Sequence, residues 1–137
     1  MWLVQNNAIL TKDNLMRRKW VGNPTCYFCT NVETAEHLFF ACPVARSIWA
    51  MVAKSMGAQT IPRSSNQYIP WMTANLPGGE ETYMFALLAI CWAIWKSRNK
   101  ACFEGKLIKN PLEVLIIAAS YMNFWAGLYK SDLKEAI

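Results

Sequence analysis

Four residues near the start of the chain have the types and the spacing of a metal site. They form the pattern Cys26-x2-Cys29-x7-His37-x4-Cys42. A Cys-x2-Cys turn places two thiolates on one side of a metal ion, and a nearby imidazole and third thiolate can complete a tetrahedron around zinc. Because four protein ligands leave no position open for water or substrate, we predict a structural Zn²⁺ site.

The cysteine and histidine counts favour a metal over disulfide bonds. The chain has five cysteines, which cannot all pair, and its single histidine is His37. The alternative, a chance cluster of core residues, explains the spacing less well. Cys91 and Cys102 lie far from the cluster, and we expect them to be buried core thiols. Reduced thiols and the lack of a signal-peptide pattern indicate an intracellular protein, cytoplasmic or nuclear, with a mitochondrial location as the weaker alternative.

The remaining polar residues show no catalytic pattern. With His37 assigned to the metal, no second histidine is left to activate a cysteine nucleophile. Glu80 and Glu81 lie at a predicted helix start, where carboxylates favour the helix dipole. With 137 residues there is room for one modest domain or two small modules. We therefore predict a protein that is not an enzyme and takes no small-molecule substrate.

The net charge of the chain is positive and its basic residues are clustered. The formal charge is +5, and three thiolates with one Zn²⁺ lower it to about +4. Such clusters can follow a phosphate backbone of RNA or DNA, although they can equally be the solvated face of a helix. The candidate nucleic-acid contacts are Arg17, Arg18, Lys19, Lys96, Arg98 and Lys100.

Short helices are predicted to position the zinc ligands. Start and stop signals predict a first helix from Thr11 to about Lys19 and a helix from Pro43 that ends at Gly57, with a short helical turn carrying His37 between them. We assign residues 1–57 to this zinc-binding module. Residues 58–79 are rich in proline and glycine and are predicted to be a connection whose aromatic residues pack back on the fold.

Residues 80–137 are predicted to form a helical hairpin. Its two helices, about Glu80 to Phe103 and about Pro111 to Lys130, are apolar nearly all round. A chain of this size can bury few such surfaces, so we expect a homo-oligomer or a host protein to cover part of them. The longest apolar run, Met84 to Trp95, is too short to span a bilayer, and we expect no membrane span. The candidate interface residues are Met84, Leu88, Trp92, Trp95, Ile117, Tyr121, Phe124 and Trp125.

The fold class that follows is mainly α: a small Cys3His zinc-stapled helical module followed by two long, largely apolar helices. Several motifs of the chain resemble a known family. The motifs are Cys26-Tyr27-Phe28-Cys29, Glu36-His37-Leu38-Phe39-Phe40, Cys42-Pro43 and, further on, Trp92-Ala93-Ile94-Trp95-Lys96. They resemble the zinc-binding domain at the C-terminal end of reverse transcriptases in plant non-LTR (LINE-type) retroelements, and the segment that follows it, over about residues 2–105.

The resemblance implies a retroelement-derived fragment that keeps the zinc fold. In the family this domain follows a polymerase and often precedes a ribonuclease H, but Asp13 and Asp132 are the only aspartates here, so neither active site is present. We expect a non-enzymatic protein-interaction or regulatory module that self-associates. The alternatives are a module that binds RNA or single-stranded DNA, as the family implies, and a selfish, toxin-like factor acting through protein contacts.

Overall fold

The computed structural model describes the backbone of residues 10–136 and the side chains of residues 10–128. Within this part the chain is helical and has no strand, only an isolated bridge between Thr25 and Val32, so the predicted fold class is confirmed. The elements are α1 (Lys12–Arg17), a π-helical turn (His37–Ala41), α2 (Pro43–Met56), α3 (Ser65–Asn75), α4 (Glu80–Glu104) and α5 (Pro111–Ala136).

Helix α1 begins where predicted but is shorter than expected. It ends at Arg17, and Lys19 takes a left-handed backbone conformation with φ 68°. The hydroxyl of Thr11 donates to the carboxylate of Asp13 instead of accepting a helix amide. The amide of Lys12 donates to Glu33 Oε1 at 2.9 Å. A carboxylate from outside the helix therefore satisfies one of its free N–H groups.

Helix α2 follows its predicted start and stop signals. Pro43 occupies its first position, and Gly57 ends it with φ 72°, a conformation that glycine adopts without strain. Trp49 is fully buried. Its indole Nε1–H donates to the carbonyl of Phe39 at 2.8 Å, and its ring stacks on Phe40 with 5.5 Å between centroids. These contacts fix α2 against the π-helical turn.

Helix α3 lies in the segment that was expected to be an irregular connection. It contains Pro70 in its interior, where the ring removes one backbone hydrogen bond. Packing explains why the helix forms. Trp71 meets the Trp49 ring edge-on at 6.1 Å, and the buried Tyr68 hydroxyl donates to the carbonyl of Tyr83 at 2.6 Å. The expectation that the aromatic residues of this segment pack back is confirmed.

Helices α4 and α5 form an antiparallel hairpin that closes on the rest of the protein. Gly105, with φ 66°, ends α4, and the side chain of Asn110 accepts the amide of Leu112 at the start of α5. Helix α5 packs on α4 and also on α2. Val114 and Ala118 place one face of α5 in the core.

The first eighteen residues of α5, Pro111–Leu128, are long and apolar enough to cross a membrane by length and composition alone, and 11% of this window is buried. The search for an uninterrupted apolar run missed this window because Glu113 interrupts it near its start. The expectation of no membrane span considered only the run from Met84 to Trp95. The length and composition of Pro111–Leu128 do not support it, and it stays a prediction.

Candidate metal centre

The four predicted ligands meet in one place. One ligand atom each from Cys26, Cys29, His37 and Cys42 lies within 4.8 Å of all the others, and Cys29 Sγ is 3.0 Å from His37 Nε2. The usual zinc bond lengths give ligand-to-ligand edges of about 3.5–3.8 Å in a tetrahedron. Cys26 and Cys42 are buried, while the other two ligands are half-buried. The donor set therefore fits one four-coordinate zinc ion without an open position.

The first two ligands are held by a tight turn. The amide of Cys26 donates to the carbonyl of Asn31 at 2.8 Å, which closes the loop beside the Thr25–Val32 bridge. The amide of Phe28 donates to Cys26 Sγ at 3.4 Å, and the Asn31 side-chain amide reaches Cys29 Sγ at 3.8 Å. Such N–H···S bonds stabilise the negative charge of thiolate ligands.

The other two ligands are held by the π-helical turn. The hydroxyl of Thr34 accepts the amide of His37 at 3.0 Å and so caps the turn. The amide of Cys42 donates to the carbonyl of His37 at 2.7 Å. Because this wider turn closes after five residues, His37 and Cys42 lie one turn apart on the same side. Local π-helical geometry is common at functional sites.

The protonation of His37 suits metal binding, and the two buried thiols share a hydrogen bond. Burial lowers the pKa of His37, which favours the neutral imidazole that a metal requires. A hydrogen bond between the two thiols raises the pKa of Cys26 and lowers that of Cys42. The remaining cysteines differ from these. Burial raises the pKa of Cys91 to about 12, as expected of a core thiol, whereas Cys102 is only half-buried and lies 3.1 Å from the Tyr27 hydroxyl.

A buried ion pair joins the metal centre to α4 and corrects one prediction. Arg98 was a candidate nucleic-acid contact, but its guanidinium holds both oxygens of Glu33, with Nη2 to Oε1 at 2.8 Å and Nε to Oε2 at 3.1 Å. The two side chains are 5% and 0% exposed. The guanidinium also lies over the Trp95 ring at 4.8 Å. Arg98 is therefore unavailable to phosphates, because the buried carboxylate needs it as a partner.

The other predicted basic contacts lie on the surface. Their side chains belong to Arg17, Arg18, Lys19, Lys96 and Lys100. Trp20, which follows the first three, is 38% exposed, and its ring lies so close to Gly22 that a Cβ there would be 2.3 Å from it. The turn after α1 thus presents three cations beside a partly exposed indole. Nucleic-acid binding by these residues stays a prediction.

Of the eight predicted interface residues, five are half-buried and three are exposed. The Trp92 and Tyr121 rings meet at 6.4 Å, and Tyr121 stacks on Trp125 at 5.5 Å. Met84, Trp95 and Ile117 are half-buried against the core, whereas Leu88, Trp92 and Phe124 are exposed. The exposed apolar residues of α5 that were missed are Leu112, Ile116 and Leu128. Leu112 and Ile116 are four residues apart, and Leu128 follows Phe124 by four, so this spacing could have been recognised in the sequence.

Comparison with known proteins places this centre in context. Residues 1–49 match the family model described as zinc-binding in reverse transcriptase. An Arabidopsis thaliana protein whose name describes it as a ribonuclease H protein is 30% identical over 149 aligned positions, which cover all of this chain and 24% of that protein. The chain thus spans about a quarter of the length of the curated relative it matches. No solved structure matches the chain significantly.

Proposed function

We propose that this retroelement-related chain is a non-enzymatic protein-interaction module that self-associates. Residues 1–49 carry a zinc-binding domain of the reverse-transcriptase type, which confirms the predicted resemblance and its zinc cofactor. In this proposal the zinc-binding half is a scaffold that fixes the α4–α5 hairpin, and the hairpin supplies the contact surface. The matched family describes a zinc-binding domain and not a catalytic one. A zinc ion held by four protein ligands activates no water.

The observation that carries the proposal is the apolar surface of the hairpin. Large apolar side chains are exposed at the end of α4, on the loop and along α5: Phe103, Leu107, Leu112, Ile116, Phe124 and Leu128, at 46% or more of their area. Soluble monomers seldom leave a contiguous apolar patch uncovered. Glu113 is the one charged residue between Pro111 and Leu128. A second copy of the chain is the occupant we propose, because closed homo-oligomers are the commonest assemblies and the face lacks charges that would repel its own copy.

Light scattering on the zinc-loaded full chain tests self-association. We expect the mass to rise from 15.6 kDa towards twice that value as the concentration increases from about 1 to about 100 µM, the range expected for an interface of modest area. A mass that stays at the monomer value across this range would contradict the proposal. Metal analysis of each sample confirms one zinc per chain.

A second candidate function is nucleic-acid binding, which the exposed turn after α1 favours. Arg17, Arg18 and Lys19 can contact phosphates while Trp20 stacks on a base. Each lost phosphate contact to a single strand lowers the slope of log affinity against log salt by about 0.7.

The test is a salt titration against single-stranded RNA. Changing the three cations to Gln is expected to reduce the slope by about 2, whereas Lys54→Gln, which alters an exposed lysine of α2, is the matched control. Equal affinity and slope for both variants would exclude this turn as the contact.

A further inference from the structure

The exposed apolar residues of α5 have a regular arrangement. Leu112, Ile116, Phe124 and Leu128 follow one another at intervals of four or eight residues and are 46%, 58%, 63% and 50% exposed. Ser120, which is also exposed, fills the gap in this series. We call these five residues the α5 ridge. Rows of residues spaced by four are the ridges with which helices most commonly interlock.

The α5 ridge is symmetric about its centre. Ile116 and Phe124 lie four residues on either side of Ser120, and Leu112 and Leu128 lie eight residues on either side. A two-fold interface uses the same patch on both copies. If one residue of the first copy contacts a second residue of the other copy, the reverse contact must also occur. If the axis passes at Ser120, the Ile116 side chain of one copy meets Phe124 of the other, and this contact occurs twice.

We infer that two copies of the chain pack antiparallel to each other through the α5 ridge, with the two-fold axis at Ser120. This inference rests on the proposed self-association and adds its surface and orientation. Because a row of residues spaced by four winds around its helix, the central residues Ile116, Ser120 and Phe124 make most of the contact.

The centre of the ridge allows close approach. Ser120 is small, and the neighbouring Ala119 is also exposed and small. Gly127, nearly two turns further along α5, is exposed as well, and a Cβ added there would meet no atom of the described residues within 4 Å. Small residues at a crossing point let two helix backbones approach each other, while the larger side chains on either side interdigitate.

The area of the ridge indicates a modest affinity. At about half exposure, four large apolar side chains of about 200 Å² each offer at most roughly 400 Å² per copy, and the central pair Ile116 and Phe124 offers about half of that. A standard interface buries about 800 Å² per partner. The ridge and the small residues beside it therefore suit a dimer that forms in the micromolar range and not an obligate one.

A charge exchange tests both the surface and the orientation. Ile116→Glu and Phe124→Lys each place two charges against apolar residues of the partner, and we expect each to weaken dimerisation by about tenfold or more. In the antiparallel arrangement the double variant brings residue 116 of one copy against residue 124 of the other. Glu then meets Lys twice, and dimerisation is expected to return to within about threefold of the original.

Matched controls separate this effect from general changes of charge. Val21→Glu and Val21→Lys alter an apolar residue that is 94% exposed and lies outside the hairpin, and both are expected to leave the dimer unchanged. Far-UV circular dichroism and zinc content must match the original protein for every variant. Sedimentation equilibrium of the full zinc-loaded chain supplies the dissociation constants.

The outcomes distinguish the two proposals. If the original chain dimerises but the single variants dimerise equally well, the ridge is not the surface, and self-association stands. If the single variants are weakened and the double variant is not restored, the antiparallel pairing at Ser120 is wrong. If the original chain is a monomer that instead co-sediments with phosphatidylcholine–phosphatidylserine vesicles, both proposals are overturned and α5 is a membrane-binding helix.

Discussion

The zinc-binding half and the helical hairpin are stabilised in different ways. Between Thr11 and Cys42 there is little regular structure, and the chain is held by the ligand cluster, by the buried side chains of Leu38, Phe39 and Phe40, and by buried polar groups such as the fully buried Glu33. The hairpin of α4 and α5 is held by many apolar and aromatic contacts spread along its length. We therefore expect single substitutions at the ligands or the buried ion pair to reduce stability strongly, and single substitutions in the hairpin to reduce it less.

Loss of zinc is expected to have the largest effect. Structural zinc contributes about 10–16 kcal/mol of apparent binding free energy, which is as large as the whole stability of about 5–15 kcal/mol of an ordinary domain. Chelation should therefore unfold the zinc-binding half. In ¹H–¹⁵N spectra the indole resonance of Trp49 should move to the position of an unfolded chain, since its hydrogen-bond partner Phe39 lies in the π-helical turn.

Two cysteine variants provide the control for zinc loss. Cys42→Ser should abolish stoichiometric zinc binding, and Cys102→Ser, which alters a cysteine outside the ligand group, should retain one zinc per chain. Unchanged spectra of the zinc-free protein would show that the metal does not hold this half.

Breaking the buried ion pair is expected to have the next largest effect. Glu33→Gln leaves the Arg98 guanidinium buried without its counter-charge, which should cost about 3–5 kcal/mol in the free energy of unfolding. Replacing both residues by Met should recover most of this loss, because the two desolvation penalties disappear together. Urea titrations of the zinc-loaded protein measure both values.

An exposed charge of α1 is the comparison for this pair. Arg17 lies 4.0 Å from Asp13 and its side chain is 68% exposed, so Arg17→Gln should change the free energy of unfolding by less than about 0.5 kcal/mol. Equal effects of Glu33→Gln and Arg17→Gln would mean that the buried pair does not link the two halves.

Two tryptophan variants compare the halves directly. Trp49→Phe removes a buried hydrogen bond and leaves a cavity, for which we expect a loss of about 2–3 kcal/mol. Trp92→Phe alters an indole of the hairpin that is 40% exposed and should cost less than about 1 kcal/mol. Thermal unfolding at matched zinc loading distinguishes the two, and a larger loss at Trp92 would reverse the comparison.

The smallest effects are expected at two glycines, and they should have opposite signs. Gly57 has φ 72°, so Gly57→Ala should destabilise the protein by about 1 kcal/mol through backbone strain. Gly127 lies within α5, where alanine is favoured by up to about 1 kcal/mol. A Cβ at either position meets no atom within 4 Å. Thermal unfolding of dilute protein should therefore show a lower midpoint temperature for Gly57→Ala and a higher one for Gly127→Ala.

Local signals explain what could be predicted from the sequence. The zinc ligands followed from their spacing, and the starts of α2 and α5 followed from Pro43 and Pro111, which suit the first turn of a helix. The stop at Gly57 was equally local. In each case residues within a few positions of one another carry the information.

What was missed depends on contacts between distant residues. Pro70 argued against helix α3, which forms because Tyr68 and Trp71 are buried against other helices. Arg98 was predicted to be a surface cation, although it shares a buried face with Ile94 and Ala101. That face was readable, but its partner Glu33 lies 65 residues away, and no local pattern connects the two.

The buried carboxylate of Glu33 also sets the extent of the unit that folds cooperatively. The segment that matches the zinc-binding family model ends at residue 49, yet the counter-charge of Glu33 is supplied by Arg98. A polypeptide cut after the recognised segment would retain every zinc ligand and still bury an uncompensated charge. The boundary of the family model therefore falls inside the stretch that must be kept together for either part to be stable.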